Sequence, residues 1–89
     1  MKHIEILLQE SAPSYQQAVD AVRQLSDFDF DELMLLGWYD RSRDVGYPEA
    51  YECSGDKPGW LAYAEGHGAN LRVDINQGSF VLLYLDTAQ

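Results

Sequence analysis

Apolar and polar residues alternate along several stretches of the chain in the two-residue period of β-strands. Residues 3–9 place isoleucine and leucine on one side and mostly polar residues on the other. Residues 71–75 alternate in the same way, so one face of that strand is predicted to lie in water. Residues 80–85 are apolar on both faces and therefore predict a central strand, joined to the preceding one by a tight turn at 77–78.

A helical period replaces the strand period after residue 13. Ser14 and Gln17 have the spacing of a capping box, in which each side chain bonds the backbone N–H of the other residue. Apolar residues then recur three and four positions apart, which predicts an amphipathic helix. The residues of this face are Tyr15, Ala18, Val19, Val22 and Leu25.

A second, shorter helix is predicted after residue 56. Asp56 stands at the capping position and Pro58 in the first turn, where its missing N–H is not needed. The sequence 66–68, Gly-His-Gly, ends the helix. Its apolar face consists of Trp60, Leu61 and Ala64.

The segment between the two helices allows two interpretations. Residues 27–31 alternate aspartate with phenylalanine like a strand, and residues 33–39 form an apolar run. We predict a strand for 33–39, because it contains two aromatic residues and Gly37, which a helix tolerates poorly. A helix capped by Asp29, with Glu32 at its third position, is the alternative.

These elements predict one α+β domain over residues 1–89. The order is strand, helix, strand, loop, short helix, strand, strand, in which the first helix is the longer. We expect a two-layer sandwich with about four strands, mostly antiparallel, and both helices on one face of the sheet. The loop spans residues 41–56, and Tyr47, Tyr51 and Cys53 are candidates for a short edge strand inside it.

Charge narrows the range of partners. Fifteen acidic and six basic residues give a net charge of −9, and nine acidic and two basic residues between Asp27 and Asp56 contribute −7 of it. Such a field repels phosphate backbones and anionic lipid, so neither nucleic acid nor a membrane is expected as a partner. It attracts basic protein surfaces and divalent cations, although an acidic surface also serves solubility alone.

Cysteine content and the absence of long apolar runs predict the compartment. With Cys53 as its single cysteine, the chain forms no intramolecular disulfide, which is typical of proteins in a reducing environment. No segment approaches the roughly 20 apolar residues of a membrane span, and the apolar stretch 4–8 is too short for a signal peptide. The sequence therefore predicts a cytoplasmic protein.

An acidic run is the candidate metal site. Asp27, Asp29 and Asp31 resemble the alternate carboxylates that open a calcium-binding loop. An EF-hand is excluded, because its sixth position requires glycine where Glu32 stands and its twelfth requires glutamate where Trp38 stands. The remaining hypotheses are a different site for calcium or another divalent cation, or a small ligand, drawing on residues 27–44, and a solvated strand edge whose charges oppose aggregation.

A cysteine and a histidine are the remaining candidates for chemistry. Cys53 as nucleophile and His67 as base would constitute a small thiol enzyme, but no motif surrounds either residue. A structural thiol and a histidine at a helix C-terminus explain the same residues, so we favour a chain without catalytic function or cofactor.

Aromatic and arginine residues around the loop predict a contact surface. Tyrosine, tryptophan and arginine are enriched among the residues that dominate binding energy at protein interfaces, although aromatic residues also fill small cores. The leading hypothesis is a binding or regulatory module that contacts a basic protein, or a second copy of the chain, through the loop 41–56. Its candidate contact residues are Arg41, Arg43, Tyr47, Tyr51 and Trp60.

Overall fold

The computed structural model describes residues 1–48 and 58–88. These residues form five strands, two α-helices and one short 3₁₀ turn. In chain order the elements are β1 (Lys2–Ile6), α1 (Tyr15–Arg23), the 3₁₀ turn (Phe30–Glu32), β2 (Leu33–Asp40), β3 (Val45–Tyr47), α2 (Gly59–Gly66), β4 (Leu71–Ile75) and β5 (Phe80–Asp86).

The strands form one mixed sheet in the order β1-β4-β5-β2-β3. The pair β1 and β4 is parallel, and the other three pairs are antiparallel. The predicted α+β class and the central position of β5 are confirmed. The strand beyond the four predicted is β3, which lies at the sheet edge and contains Tyr47.

The two helices pack on opposite faces of the sheet, not on one face as predicted. Alternate side chains of β5 point to opposite faces of the sheet. On one face, Phe80, Leu82 and Tyr84 belong to the hydrophobic cluster that packs against α1. Val81 and Leu83 belong to the cluster packed by α2. The arrangement therefore has three layers, because a central strand that is apolar on both faces requires cover on both.

Helix α1 begins as the sequence predicts. The Ser14 Oγ accepts a hydrogen bond from the Gln17 backbone N–H at 3.2 Å, and the Gln17 side chain accepts one from the Ser14 N–H at 2.8 Å. Ala18 and Val22 are buried against the sheet. The apolar stripe of this helix therefore forms the predicted core contact.

The run of aspartates before β2 alternates like a strand but forms a turn. The Asp29 side chain accepts a hydrogen bond from the Asp31 N–H at 3.1 Å and caps the single 3₁₀ turn. The chain then extends into β2, so the predicted strand 33–39 is confirmed, and the alternative helix capped by Asp29 is limited to this one turn. A register shift between Leu35 and Gly37 lets Leu36 and Tyr39 face α2 while Trp38 faces α1.

No helix in residues 1–48 and 58–88 combines the length and the apolarity that crossing a membrane requires.

The hydroxyl of Tyr84 is buried without a partner. The residue is 1% exposed. Among the described residues, its Oη is the one buried side-chain polar atom that forms no hydrogen bond. Burial raises the pKa of this hydroxyl, so it stays protonated in the folded protein at pH values that ionise an exposed tyrosine.

We expect Tyr84→Phe to leave stability at pH 7 unchanged or raise it by up to about 1 kcal/mol, because the variant removes an unpaired buried polar group. Above pH 10.0 the unfolded wild-type tyrosine ionises while folded Tyr84 does not, so wild-type stability falls as pH rises and this contribution is absent in the variant. Urea unfolding at pH 7 and pH 10.5 measures both effects. A loss above 1 kcal/mol at pH 7 would show that the hydroxyl is bonded.

Candidate protein-binding surface

The turn between β2 and β3 is organised by a buried carboxylate. Asp40 accepts hydrogen bonds from the Ser42 N–H and hydroxyl, the latter at 2.8 Å, and from Arg43 Nη1 at 2.6 Å. Burial by itself raises the pKa of Asp40, but the bonds from Ser42 and Arg43 outweigh it and lower the pKa below its usual value. One predicted contact residue, Arg43, is thus tied to the fold through its guanidinium, although its side chain is mostly exposed.

Three aromatic rings form a patch on the α1 face of the sheet, at the β3 edge. We call Tyr15, Trp38 and Tyr47 the aromatic patch. The Trp38 and Tyr47 ring centroids lie 6.4 Å apart with planes 16° from parallel, and the Tyr15 centroid lies 5.1 Å from that of Trp38. Tyr47 is 58% exposed and Tyr15 is 41% exposed, while Trp38 is half-buried and also stacks on buried Phe80.

The α2 face of the same edge carries a cleft of about 430 Å³. Tyr39 and Trp60 stack in parallel within its lining, with centroids 5.1 Å apart and planes 6° from parallel. The Tyr39 hydroxyl donates a hydrogen bond to Asp44 Oδ1 at 2.6 Å, which raises the pKa of the tyrosine. Further lining comes from Pro48, Pro58 and Gly59.

The predicted contact residues that the structure describes do not form one continuous surface. Tyr47 belongs to the aromatic patch on the α1 face, whereas Trp60 lines the cleft on the α2 face. Arg41 and Arg43 are exposed in the turn where the two faces meet. Tyr51 lies outside the described residues. Sequence reasoning omitted Tyr15 and Trp38, which lie outside the loop and reach Tyr47 only through the tertiary fold.

The structure does not gather the predicted metal ligands. Asp27, Asp29 and Asp31 are exposed in and beside a turn, and the carboxylate of Asp29 caps the backbone of Asp31. Residues 1–48 and 58–88 contain no group of three or more histidine, cysteine, aspartate or glutamate side chains placed to hold a metal ion. Cation binding at these aspartates stays a prediction without geometric support.

The histidine of the predicted enzyme site lies at a helix end. His67 follows α2, its Nδ1 lies 2.9 Å from the Tyr63 carbonyl oxygen, and its ring stacks on that of Tyr63 with centroids 4.0 Å apart. This is the helix C-terminal position that the sequence offers as the alternative to a catalytic role. Cys53 lies outside the described residues, so the pairing of the two side chains stays untested.

Comparison with known proteins places the chain in a family. Residues 1–84 match the model of a domain of unknown function, DUF5619. The chain belongs to the DUF5619 family. An uncharacterised protein of Archaeoglobus fulgidus is 32% identical over 80 residues, which cover 90% of this chain and 84% of the relative.

A solved structure shows a fold similar to that of this DUF5619 domain. The crystal structure of AF1514, a protein of Archaeoglobus fulgidus described as novel, matches with a TM-score of 0.73 and 27% sequence identity. The match covers 97% of this chain and 94% of the other. These similarities support the fold, and neither match states an activity.

The DUF5619 domain also contains a polar cluster that the sequence pattern did not predict. Asp74 of β4 is buried, not in water as the alternation suggests. It interacts with His3 Nε2 on the neighbouring strand and accepts a hydrogen bond from Arg72 Nε at 3.1 Å. The parallel pairing of β1 and β4 brings residues 71 positions apart into contact, and no local pattern shows that pairing.

Proposed function

We propose that this protein is a non-catalytic, cytoplasmic protein-binding module whose contact surface is the aromatic patch of Tyr15, Trp38 and Tyr47. The observation that carries the proposal is the exposure of stacked aromatic rings at the sheet edge. Tyr47 is 58% and Tyr15 41% exposed, although both rings have aromatic neighbours in the fold.

Exposed aromatic rings in contact with one another suit an interface. Each ring presents a large apolar area with few rotatable bonds, so little side-chain entropy is lost when a partner covers it. Trp38 anchors the patch, because it stacks on the buried ring of Phe80 with centroids 5.6 Å apart. The patch is therefore largely preorganised, which lowers the cost of binding.

A protein with a basic surface is the partner that the charge favours. The net charge of −9 accelerates encounter with a positively charged partner and repels a second copy of the chain. Self-association is therefore the less favoured form of the proposal.

The substitution Tyr47→Ser tests the patch. We would probe an array of 15-residue peptides, with net charges from −4 to +4 and with or without regularly spaced apolar residues, using wild-type and variant protein. Wild type should bind the basic, apolar-patterned peptides, and the variant should bind at least about tenfold more weakly, since hot-spot side chains contribute about 2 kcal/mol or more. Binding should weaken as salt is raised.

The matched control is Leu7→Ser, which removes an apolar side chain that is 73% exposed and lies beyond β1. Its binding should equal that of wild type. The proposal is wrong if Tyr47→Ser and Leu7→Ser bind the array equally, or if acidic peptides bind wild type as well as basic ones do.

A further inference from the structure

The cleft on the α2 face is a separate feature from the aromatic patch. Its volume of about 430 Å³ lies in the range of sites that hold small ligands or single side chains. Among the described residues, the lining combines two aromatic rings and two prolines with one carboxylate, that of Asp44. An apolar wall with a negative group beside it suits a ligand that has an apolar stem and a cationic end.

The aromatic wall is fixed before any ligand arrives. Trp60 packs so closely on Gly46 that a Cβ there would lie 2.5 Å from Trp60 Cδ1, and its ring stacks in parallel on that of Tyr39. A cation near an aromatic face within about 6 Å is attracted by the ring quadrupole. The chain already contains such a contact, because the Arg23 guanidinium lies 4.4 Å from the Phe30 ring centroid.

The carboxylate of Asp44 retains capacity to accept hydrogen bonds. Its Oδ1 accepts the Tyr39 hydroxyl, and its Oδ2 has no hydrogen-bond partner among the described residues. The two nearby guanidinium groups of the chain are directed elsewhere. Arg43 bonds Asp40, and Arg41 Nη1 lies 3.7 Å from the position that a Cβ on Gly78 would take.

We propose that this cleft binds one arginine side chain of a partner protein. The planar guanidinium stacks against the aromatic wall and donates to Asp44 Oδ2, while the methylene stem contacts the apolar lining. Arginine fits better than lysine, because its planar fork combines stacking with directed hydrogen bonds, whereas an ammonium is a compact and strongly hydrated charge. The net charge of −9 favours a cationic ligand.

A set of capped pentapeptides tests the proposal in ¹⁵N-labelled protein by NMR titration. The peptides contain four glycines and a central arginine, lysine or citrulline, and free arginine is titrated in parallel. The arginine peptide should produce saturable shifts around Tyr39, Asp44 and Trp60, and the uncharged citrulline peptide should bind at least tenfold more weakly. Lysine should fall between them.

The variant Asp44→Asn should bind the arginine peptide at least tenfold more weakly than wild type does. Asparagine keeps the carbonyl oxygen that accepts the Tyr39 hydroxyl and tolerates the φ of 53° at this position, so the variant should fold. The charge-matched control is Asp27→Asn, in an exposed turn, which should change the affinity less than twofold.

Three results would overturn the proposal. Equal affinity for arginine and citrulline peptides would show that charge is not recognised. Equal weakening by Asp44→Asn and Asp27→Asn would indicate attraction by net charge alone. Tighter binding of free arginine than of the capped peptide would exclude a protein side chain as the source. Since Tyr47 lies on the other face, Tyr47→Ser should leave this titration unchanged, and the two proposals fail independently.

Discussion

Asn76→Ala should destabilise the protein by about 2–4 kcal/mol, the sum of two lost hydrogen bonds and a left-handed backbone that alanine adopts poorly. Asn76 Oδ1 accepts the Leu8 N–H at 2.7 Å, and its Nδ2 donates to the Glu10 carbonyl oxygen at 2.6 Å. Its φ is 52°, which asparagine tolerates better than most residues. One side chain therefore joins the β4–β5 loop to the chain segment between β1 and α1.

Urea unfolding of three variants separates the contributions. Gln77→Ala is the control, because Gln77 has a φ of 60° and its side chain forms no hydrogen bond within the described residues. We expect that substitution to change stability by less than about 0.5 kcal/mol, as for surface positions. Asn76→Gly removes both side-chain hydrogen bonds, but glycine adopts the left-handed backbone without strain. The loss of stability should therefore be smaller for Asn76→Gly than for Asn76→Ala. A loss below 0.5 kcal/mol for Asn76→Ala would contradict the role assigned to these bonds.

Gly46→Ala should destabilise the protein and displace Trp60. A Cβ at this position would lie 2.5 Å from Trp60 Cδ1 and 3.0 Å from its Cγ. Alanine gains about 0.5–1 kcal/mol over glycine in a strand, but overpacking of a close contact costs about 1–3 kcal/mol. The clash should prevail because it involves atoms near the base of the indole, which has little room to rotate.

Gly66→Ala is the matched substitution. Apart from its chain neighbours and its own helix backbone, no atom of the described residues lies within 4 Å of a Cβ built on Gly66, the last residue of α2. Alanine there should therefore stabilise the protein by up to about 1 kcal/mol. Urea midpoints and tryptophan fluorescence measure both variants. Equal stability changes in the two would show that the close approach of Trp60 to β3 is not a constraint.

The close packing of Trp60 on Gly46 also determines the position of the cleft's aromatic wall. If Gly46→Ala displaces Trp60, the aromatic wall moves with it, and the arginine peptide should bind more weakly to this variant than to Gly66→Ala. Gly37 faces the same helix, since a Cβ there would lie 3.0 Å from the Trp60 carbonyl oxygen. Two strand glycines thus allow α2 to lie against the edge of the sheet.

Elements whose signals are local could be predicted from the sequence. The capping box of Ser14 and Gln17 and the apolar stripe behind it specify α1, and both reciprocal bonds are formed. Two-residue alternation predicted β1 and β4, and the continuous apolar run 80–85 predicted the central position of β5. Each of these signals involves residues within one turn of helix or one strand. The interacting residues are therefore close in sequence, and the element can be predicted without knowledge of the tertiary fold.

Segments with two competing local signals were only partly predictable. Asp29 caps a turn as the helical alternative requires, yet the chain continues as β2 because Leu33, Leu35 and Leu36 pack on both faces of the sheet. The aspartate run 27–31 alternates like a strand without forming one. Phe28 and Phe30 pack against the core from a turn, where capping of the backbone by the Asp29 side chain determines the conformation.

The sequence by itself determined the α+β class, the main helix, most strands and the acidic charge. The tertiary structure decided which face each helix covers, the parallel pairing of β1 with β4, and the separation of Tyr47 from Trp60. It also brought Tyr15 to Trp38 and His3 to Asp74. Each of these depends on contacts between residues far apart in the chain, whose relative placement is set by burial of the whole core and by no local pattern.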